Sequence, residues 1–296
     1  MKESLIAWTD HTFNPWMGCE KVSPGCINCY AETATPSRVF GIKWGAGEPR
    51  KRTSVSSWNR VRSLDRKAKK DRIRIKVFCA SLSDWLDPAV PSEWLNDLLE
   101  LIVETPHLDW QLLTKRPEHF QARMNAVMAE FKGKPGAEIA NQWVTFKNAP
   151  QNVWFGVTAE NQETFNSRVM QTTFIPAKLT FLSMEPLLGA VNIDFAIGKV
   201  DWIIVGGESG AAAGSNANGQ ARACKVEWIN AIVSRAQQIG ISVFVKQLGT
   251  NAYRMNQLVK TTHPKGGNFE EFPEKLKIRE FPVFSLPIPE IPCATY

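Results

Sequence analysis

The chain has 296 residues, 44% of them hydrophobic, with 35 Lys plus Arg against 29 Asp plus Glu and a formal net charge of +6. No window approaches the roughly 18 consecutive apolar residues of a membrane span, and MKESLIAWTDHTFNPW has no apolar core of signal-peptide length, so a cytoplasmic protein with no membrane partner is expected. Six cysteines, three of them within eleven residues, suit a metal or redox site better than a disulfide framework.

In chain order, a short strand is expected at Leu5–Thr9, followed by Cys19, Cys26 and Cys29 in GCEKVSPGCINCYAE. Six residues separate the first pair and two the second. A two-residue gap lets both thiolates of a pair reach one metal, and Ser23, Pro24 and Gly25 supply the turn that folds the longer loop back. Three thiolates are an incomplete set for a closed zinc site, which takes four ligands, so one coordination position stays open unless His11 completes a structural zinc site. A 4Fe-4S cluster on three cysteines would likewise leave one iron free.

From Lys43 to Lys76 there are thirteen Lys or Arg against three acids, a net of +10 that exceeds the charge of the whole chain. This stretch reads as a basic insertion. Interspersed with Trp44 and Trp58, its charges, including Arg50, Lys51, Arg52, Arg60, Arg62, Lys67, Lys69 and Lys70, could track a phosphate backbone over the mouth of the fold while an aromatic stacks on a base. DNA and RNA are not distinguished. A solvated helical face, an acidic protein partner and a small phosphorylated substrate are the alternatives.

Six later segments read as strands: Ile73–Ser81, Asp109–Arg116, Val153–Ala159, Lys178–Glu185, Trp202–Gly207 and Ser242–Leu248. Apolar residues at helical spacing fall between them at Glu93–Glu104, Pro117–Phe131, Glu160–Thr172 and Val226–Ile239. Alternating, nearly all-apolar strands imply a parallel sheet covered on both faces, either doubly wound or a complete or partial (β/α) barrel. We favour a single barrel domain over residues 1–250 with a Pro-rich extension over 251–296, expected as a surface-wrapping or disordered tail.

Polar residues follow each strand, and in either architecture they cluster at the strands' carboxyl ends. Alternation sets Leu179, Phe181, Ser183 and Glu185 on one face, and Trp202, Ile204, Gly206 and Glu208 on another. Lys115 follows Gln111 and Leu113, and Lys246 follows Ser242 and Phe244. Glu185, Glu208, Lys115 and Lys246 are therefore candidate site residues, with buried ion pairing as the alternative reading. Ser183, Gly206, Gly207 and Ser209 join them as candidate ligand contacts, because GGESG lets a ligand approach the backbone or simply makes a tight turn. Residues 211–222, AAAGSNANGQAR, have the composition of a lid or flexible loop.

WTDHTFNPWMGCEKVSPGCINCYAE, LLTKRPE, WFGVTAEN, FLSMEPLLG, WIIVGGESG and VKQLG together resemble the three-Cys-motif protein family of phages and prophages, over roughly residues 5 to 250. The three-cysteine loop after a first strand also resembles the radical S-adenosylmethionine superfamily, whose commonest motif has three residues in the first gap where this chain has six. That resemblance implies that Cys19, Cys26 and Cys29 ligate a 4Fe-4S cluster and that S-adenosylmethionine chelates its open iron. It further implies a 5′-deoxyadenosyl radical that abstracts hydrogen, an electron donor such as a flavodoxin or ferredoxin, and contacts from Glu185 and Glu208 to the amino or ribose groups. With the basic segment, it points to modification or repair of a nucleic acid base. A zinc-stapled binding protein, or a radical enzyme acting on a small molecule or peptide with an accessory protein, remains open beside it.

Overall fold

The computed structural model describes residues 4–33, 37, 39–210 and 220–283. Seven strands form one sheet: β1 (His11–Thr12), β2 (Ile75–Cys79), β3 (Leu108–Thr114), β4 (Val153–Thr158), β5 (Leu179–Met184), β6 (Trp202–Gly206) and β7 (Ser242–Gln247). Every neighbouring pair is parallel and the strands follow one another in sequence order, so the order never reverses as a doubly wound sheet requires. The sheet curls into a half-barrel, with β1 and β7 as its unjoined edges.

Alternation along the strands sorts two apolar layers. Val77, Leu112, Phe155, Leu182, Ile203 and Val243 face outward and pack with helices α1 (Val55–Asp71), α2 (Ser92–Glu104), α3 (Phe120–Glu130), α4 (Pro135–Val144), α5 (Gln162–Thr172) and α6 (Val226–Gln238). Phe78, Trp154, Leu179, Phe181, Trp202, Ile204 and Phe244 face inward and form a separate cluster around Trp8. The Trp8 ring lies 4.7 Å from Phe78, 6.2 Å from Phe181 and 6.3 Å from Trp202 between centroids, and so fills a bore that no eighth strand narrows.

That plug accounts for the displacement of the first strand. Instead of pairing over Leu5–Thr9, the chain turns, with Thr9 N donating to Ile6 O, and reaches the sheet only at His11, opposite Val77. The basic stretch is likewise no insertion, since α1 is the crossover helix between β1 and β2, buried through Trp58, Val61, Leu64 and Ala68. α4 lies where the sequence pattern predicts no helix. Between β5 and β6 the described connection is a single 3-10 turn, Asp194–Ala196.

The segment after residue 250 is folded as far as it is described. Ala252–Arg254 pairs with Cys224–Lys225 and with Gln257–Leu258, and Phe272 and Leu276 join the outer core. The chain then runs antiparallel along β7: Val245 N donates to Ile278 O, Glu280 N to Val243 O, and Phe244 bridges Arg279. Phe281 packs tilted against Trp202 and edge-on to Phe244, with Lys76 Nζ 5.0 Å above its ring. This cover over an exposed edge shields the sheet from pairing with another chain. Residues 284–296, and residues 211–219 of the lid or flexible loop expected over 211–222, lie outside the described residues. No helix among the described residues is long and apolar enough to cross a membrane.

A Cβ at Gly156, beside the bore, would overlap the Phe181 ring. Gly156→Ala is expected to cost about 1–3 kcal/mol by overpacking, read as a lower urea midpoint at unchanged slope. An unaltered midpoint would mean that the ring moves aside freely.

Candidate functional site

At the carboxyl ends of the strands lies a cavity of about 520 Å³, within the range of small-ligand sites. Its floor is Trp8 and Phe78 from the bore, and its walls include Lys115, Thr158, Ser183, Glu185 and Lys246 from the ends of β3, β4, β5 and β7. Cys19, Cys26 and Cys29 close it from above, with Tyr30 and Trp44 beside them. The inward alternation that fills the bore with Leu179 and Phe181 continues as Ser183 and Glu185, and Phe244 continues as Lys246. Lys246 Nζ stands 3.1 Å from Glu185 Oε1.

The cysteine loop leaves the sheet through Trp16–Met17, which pairs with Lys51–Arg52. Ser23, Pro24 and Gly25 form the expected turn: Pro24–Cys26 is a 3-10 helix, with Cys26 N donating to Ser23 O at 2.9 Å. Little other backbone pairing holds this segment, and three buried carboxylates hold it instead. Asp87 accepts from Arg50 Nε at 2.7 Å and lies 2.6 Å from Arg116 Nη1. Arg116 Nη2 in turn donates to Glu20 O at 3.1 Å and to Cys19 Sγ at 3.6 Å, while Arg50 Nη1 reaches Gly45 O and Glu48 O.

Glu160 accepts from Ser23 Oγ at 2.6 Å and from Arg168 Nη1 at 2.9 Å, and a Cβ at Gly25 would collide with its carboxylate. Glu208 accepts from Asn28 Nδ2 at 3.1 Å and from Arg222 Nε at 2.9 Å, while Arg222 Nη1 donates to Pro24 O at 2.8 Å. Burial acts to raise the pKa of all three carboxyls, yet each ends below its ordinary value. Arg50 and Arg116 outweigh burial at Asp87, Arg168 and Lys115 at Glu160, and Arg222 at Glu208. Burial and then Asp84 push the Cys19 thiol up to about 12, against the pull of Arg116.

Of the sequence candidates, the fold brings together Cys19, Cys26, Cys29, Lys115, Ser183, Glu185 and Lys246. Glu208, Gly206, Gly207 and Ser209 do not line the cavity. Glu208 is a loop fastener, a Cβ at Gly206 would crowd Glu185, and one at Gly207 would strike Leu248 O, so these glycines serve packing. His11 sits in β1 and is not among the lining residues. Among the described residues no three His, Cys, Asp or Glu side chains are grouped closely enough to hold a metal ion, so a metal would have to draw the three thiols together.

The basic residues divide. Arg50 is buried on Asp87 and cannot serve a polymer. Arg52 pairs with Asp97 and covers the Trp58 ring, which is itself buried, and Arg62 pairs with Glu104 and Lys67 with Asp71. Arg60, Lys69 and Lys70 are exposed, but α1 starts at the mouth and runs down the outer wall. At about 1.5 Å per residue, Lys67, Lys69 and Lys70 lie roughly 20 Å from its mouth end, where Lys69 and Lys70 in the last turn complement the helix C-terminus. Lys51, paired opposite Met17 next to Cys29 and 5.4 Å above the Phe40 ring, and Lys43, next to the lining residue Trp44, remain near the cysteine loop.

Asp87 and the roles of Arg116 and Glu160 as site features emerge only from the fold. Their only sequence sign was a polar residue near the end of a strand.

A depressed carboxyl contributes stability that is present above its unfolded pKa, about 4, and lost as pH falls through its lower folded value. Glu160→Gln leaves Arg168 buried without its counter-charge, so it is expected to cost about 3 kcal/mol at pH 7. The gap from the parent protein should narrow below about pH 4 in urea titrations. A gap independent of pH would assign the role of Glu160 to shape and not charge.

A family model described as "Protein of unknown function (DUF5131)" matches residues 3–273. No curated protein and no solved structure matches the chain.

Proposed function

The chain belongs to the DUF5131 family, and we propose that it is an iron-sulfur enzyme of the radical S-adenosylmethionine type that modifies or repairs a nucleic acid base. One observation carries this reading: three cysteines on one loop face the same cavity as Glu185, Lys246, Lys115 and Ser183, at the carboxyl ends of a parallel half-barrel. The donor set suits the group, being three thiols with a buried guanidinium at Cys19 and space beneath for a small cofactor. When bound, the cluster and S-adenosylmethionine supply one-electron cleavage of a sulfonium and hydrogen abstraction.

Cys19, Cys26 and Cys29 would hold the cluster. Glu185, steadied by Lys246, offers a carboxylate to an ammonium or to ribose hydroxyls. Lys115 presents a positive charge to a carboxylate or phosphate, and Ser183 a hydroxyl. Trp8 and Phe78 exclude water from beneath, which strengthens every polar contact above them. Zinc stapling through His11 has no such support, since His11 does not line the cavity. A base would have to be unpaired or flipped to enter.

Metal and sulfide analysis on protein purified without oxygen tests the cofactor. About four irons and four sulfides per chain are expected, with visible absorption, lost in Cys26→Ala. One zinc and no absorption would overturn the reading.

The polymer is tested by anisotropy with single-stranded DNA and RNA across a salt series. Lys43→Glu with Lys51→Glu is expected to reduce the slope of log affinity against log salt by about 1.4. Lys69→Glu with Lys70→Glu, at the far end of α1, should leave it unchanged. The opposite pattern would move the polymer to the outer wall, and no binding would favour a small substrate.

A further inference from the structure

Behind Cys19 the fold buries more cations than anions. Arg50 and Arg116 have side chains 1% exposed, and Arg123 on α3 is buried beside them. The buried carboxylates among them are Asp84 and Asp87, while Glu20 and Glu130 stand at the solvent edge. Asp84 is already engaged by Thr114 Oγ1 at 2.7 Å and by Lys115 N at 2.8 Å. Among the described residues, Arg116 Nε, Arg50 Nη2 and both Nε and Nη2 of Arg123 are buried with no hydrogen-bond partner, and Arg116 Nη1 meets Asp87 as an ion pair without hydrogen-bond alignment.

Arg116 meets Asp87 Oδ1 at 2.6 Å and Glu20 Oε1 at 3.7 Å, and its remaining side-chain contact is the Cys19 sulfur, 3.6 Å from Nη2 and out of reach of bulk water, where a guanidinium acts strongly on any charge the sulfur carries. A neutral thiol supplies no negative charge. A thiolate bound to a metal centre does, and more of it once the centre gains an electron.

We infer that Arg116, oriented by Asp87, is the counter-charge of an anionic metal-thiolate centre at Cys19 and sets that centre's reduction potential. This rests on the iron-sulfur reading proposed above. Arg116 is a positioning residue whose fork is fixed at three points: Asp87 Oδ1, Glu20 O and Cys19 Sγ. Because its cation favours the reduced, more negative centre, its removal makes reduction harder. Removal of Asp87, which offsets that cation, makes reduction easier.

The test is a redox titration of the anaerobically reconstituted full chain, followed by electron paramagnetic resonance, with iron content and thermal unfolding measured on every sample. Arg116→Gln is expected to lower the potential enough for a tenfold fall in the reduced-to-oxidised ratio at a fixed poise, about 59 mV for one electron. Asp87→Asn is expected to shift it the opposite way. Loosening of the loop alone would move both variants in the same sense, so opposite signs identify the charge. If Asp87→Asn does not fold, Arg116→Lys substitutes for it and should stay near the parent potential while Arg116→Gln falls. Potentials that do not move, or that move together, in iron-loaded protein would overturn the inference and leave the cluster standing. A parent protein that binds zinc and no iron would overturn both.

Discussion

The shared carboxylate of Asp87, buried between Arg50 and Arg116, is the contact on which the candidate site depends most directly. Cys19 lies on a loop with little regular pairing, and such a loop keeps one shape only if its backbone carbonyls are satisfied from outside. Arg116 reaches Glu20 O, Arg50 reaches Gly45 O and Glu48 O, and Asp87 fixes both guanidiniums at once. Glu160 and Glu208 repeat the device at Ser23 and at Pro24 with Asn28. Each carboxylate follows a different strand, so the loop is tied to β2, β4 and β6 separately. The sheet therefore acts as the jig on which the three thiols are set.

Leaving the barrel incomplete creates a second problem, since an open sheet exposes an edge and an unfilled bore. Two pieces of chain outside the strand-helix repeat address it. Trp8 enters the bore before β1 begins, and the stretch around Ile278–Phe281 lies along β7. Both act below the cavity. They exclude water from the apolar bore beneath Glu185 and Lys246, whose ion pair stands above it and is partly exposed in the cavity.

Much of this was legible in the strands. A period of two needs no knowledge of partners, so Phe181, Ser183 and Glu185 could be assigned one face from sequence alone, and the cavity bears that out. α1 was harder to read, because Arg60, Lys67, Lys69 and Lys70 surround the apolar stripe of Trp58, Val61, Leu64 and Ala68 and hide an ordinary crossover helix behind its charge. Glu208 sits next to the carboxyl end of β6 as expected, yet Arg222 claims it.

By itself the sequence determined the alternation of strands and helices, the inward set at the strand ends, and a turn at Ser23 to Gly25 that folds three thiols into one loop. These follow from local spacing and backbone preference. Only the tertiary structure decided which charges are tools and which are fasteners. Ser23 meets Glu160 across 137 residues of chain and Asn28 meets Glu208 across 180, and no local pattern records such distances. A carboxylate's role is set by the cation that reaches it in space, and that is fixed only once the sheet has curled and brought the loop down upon it.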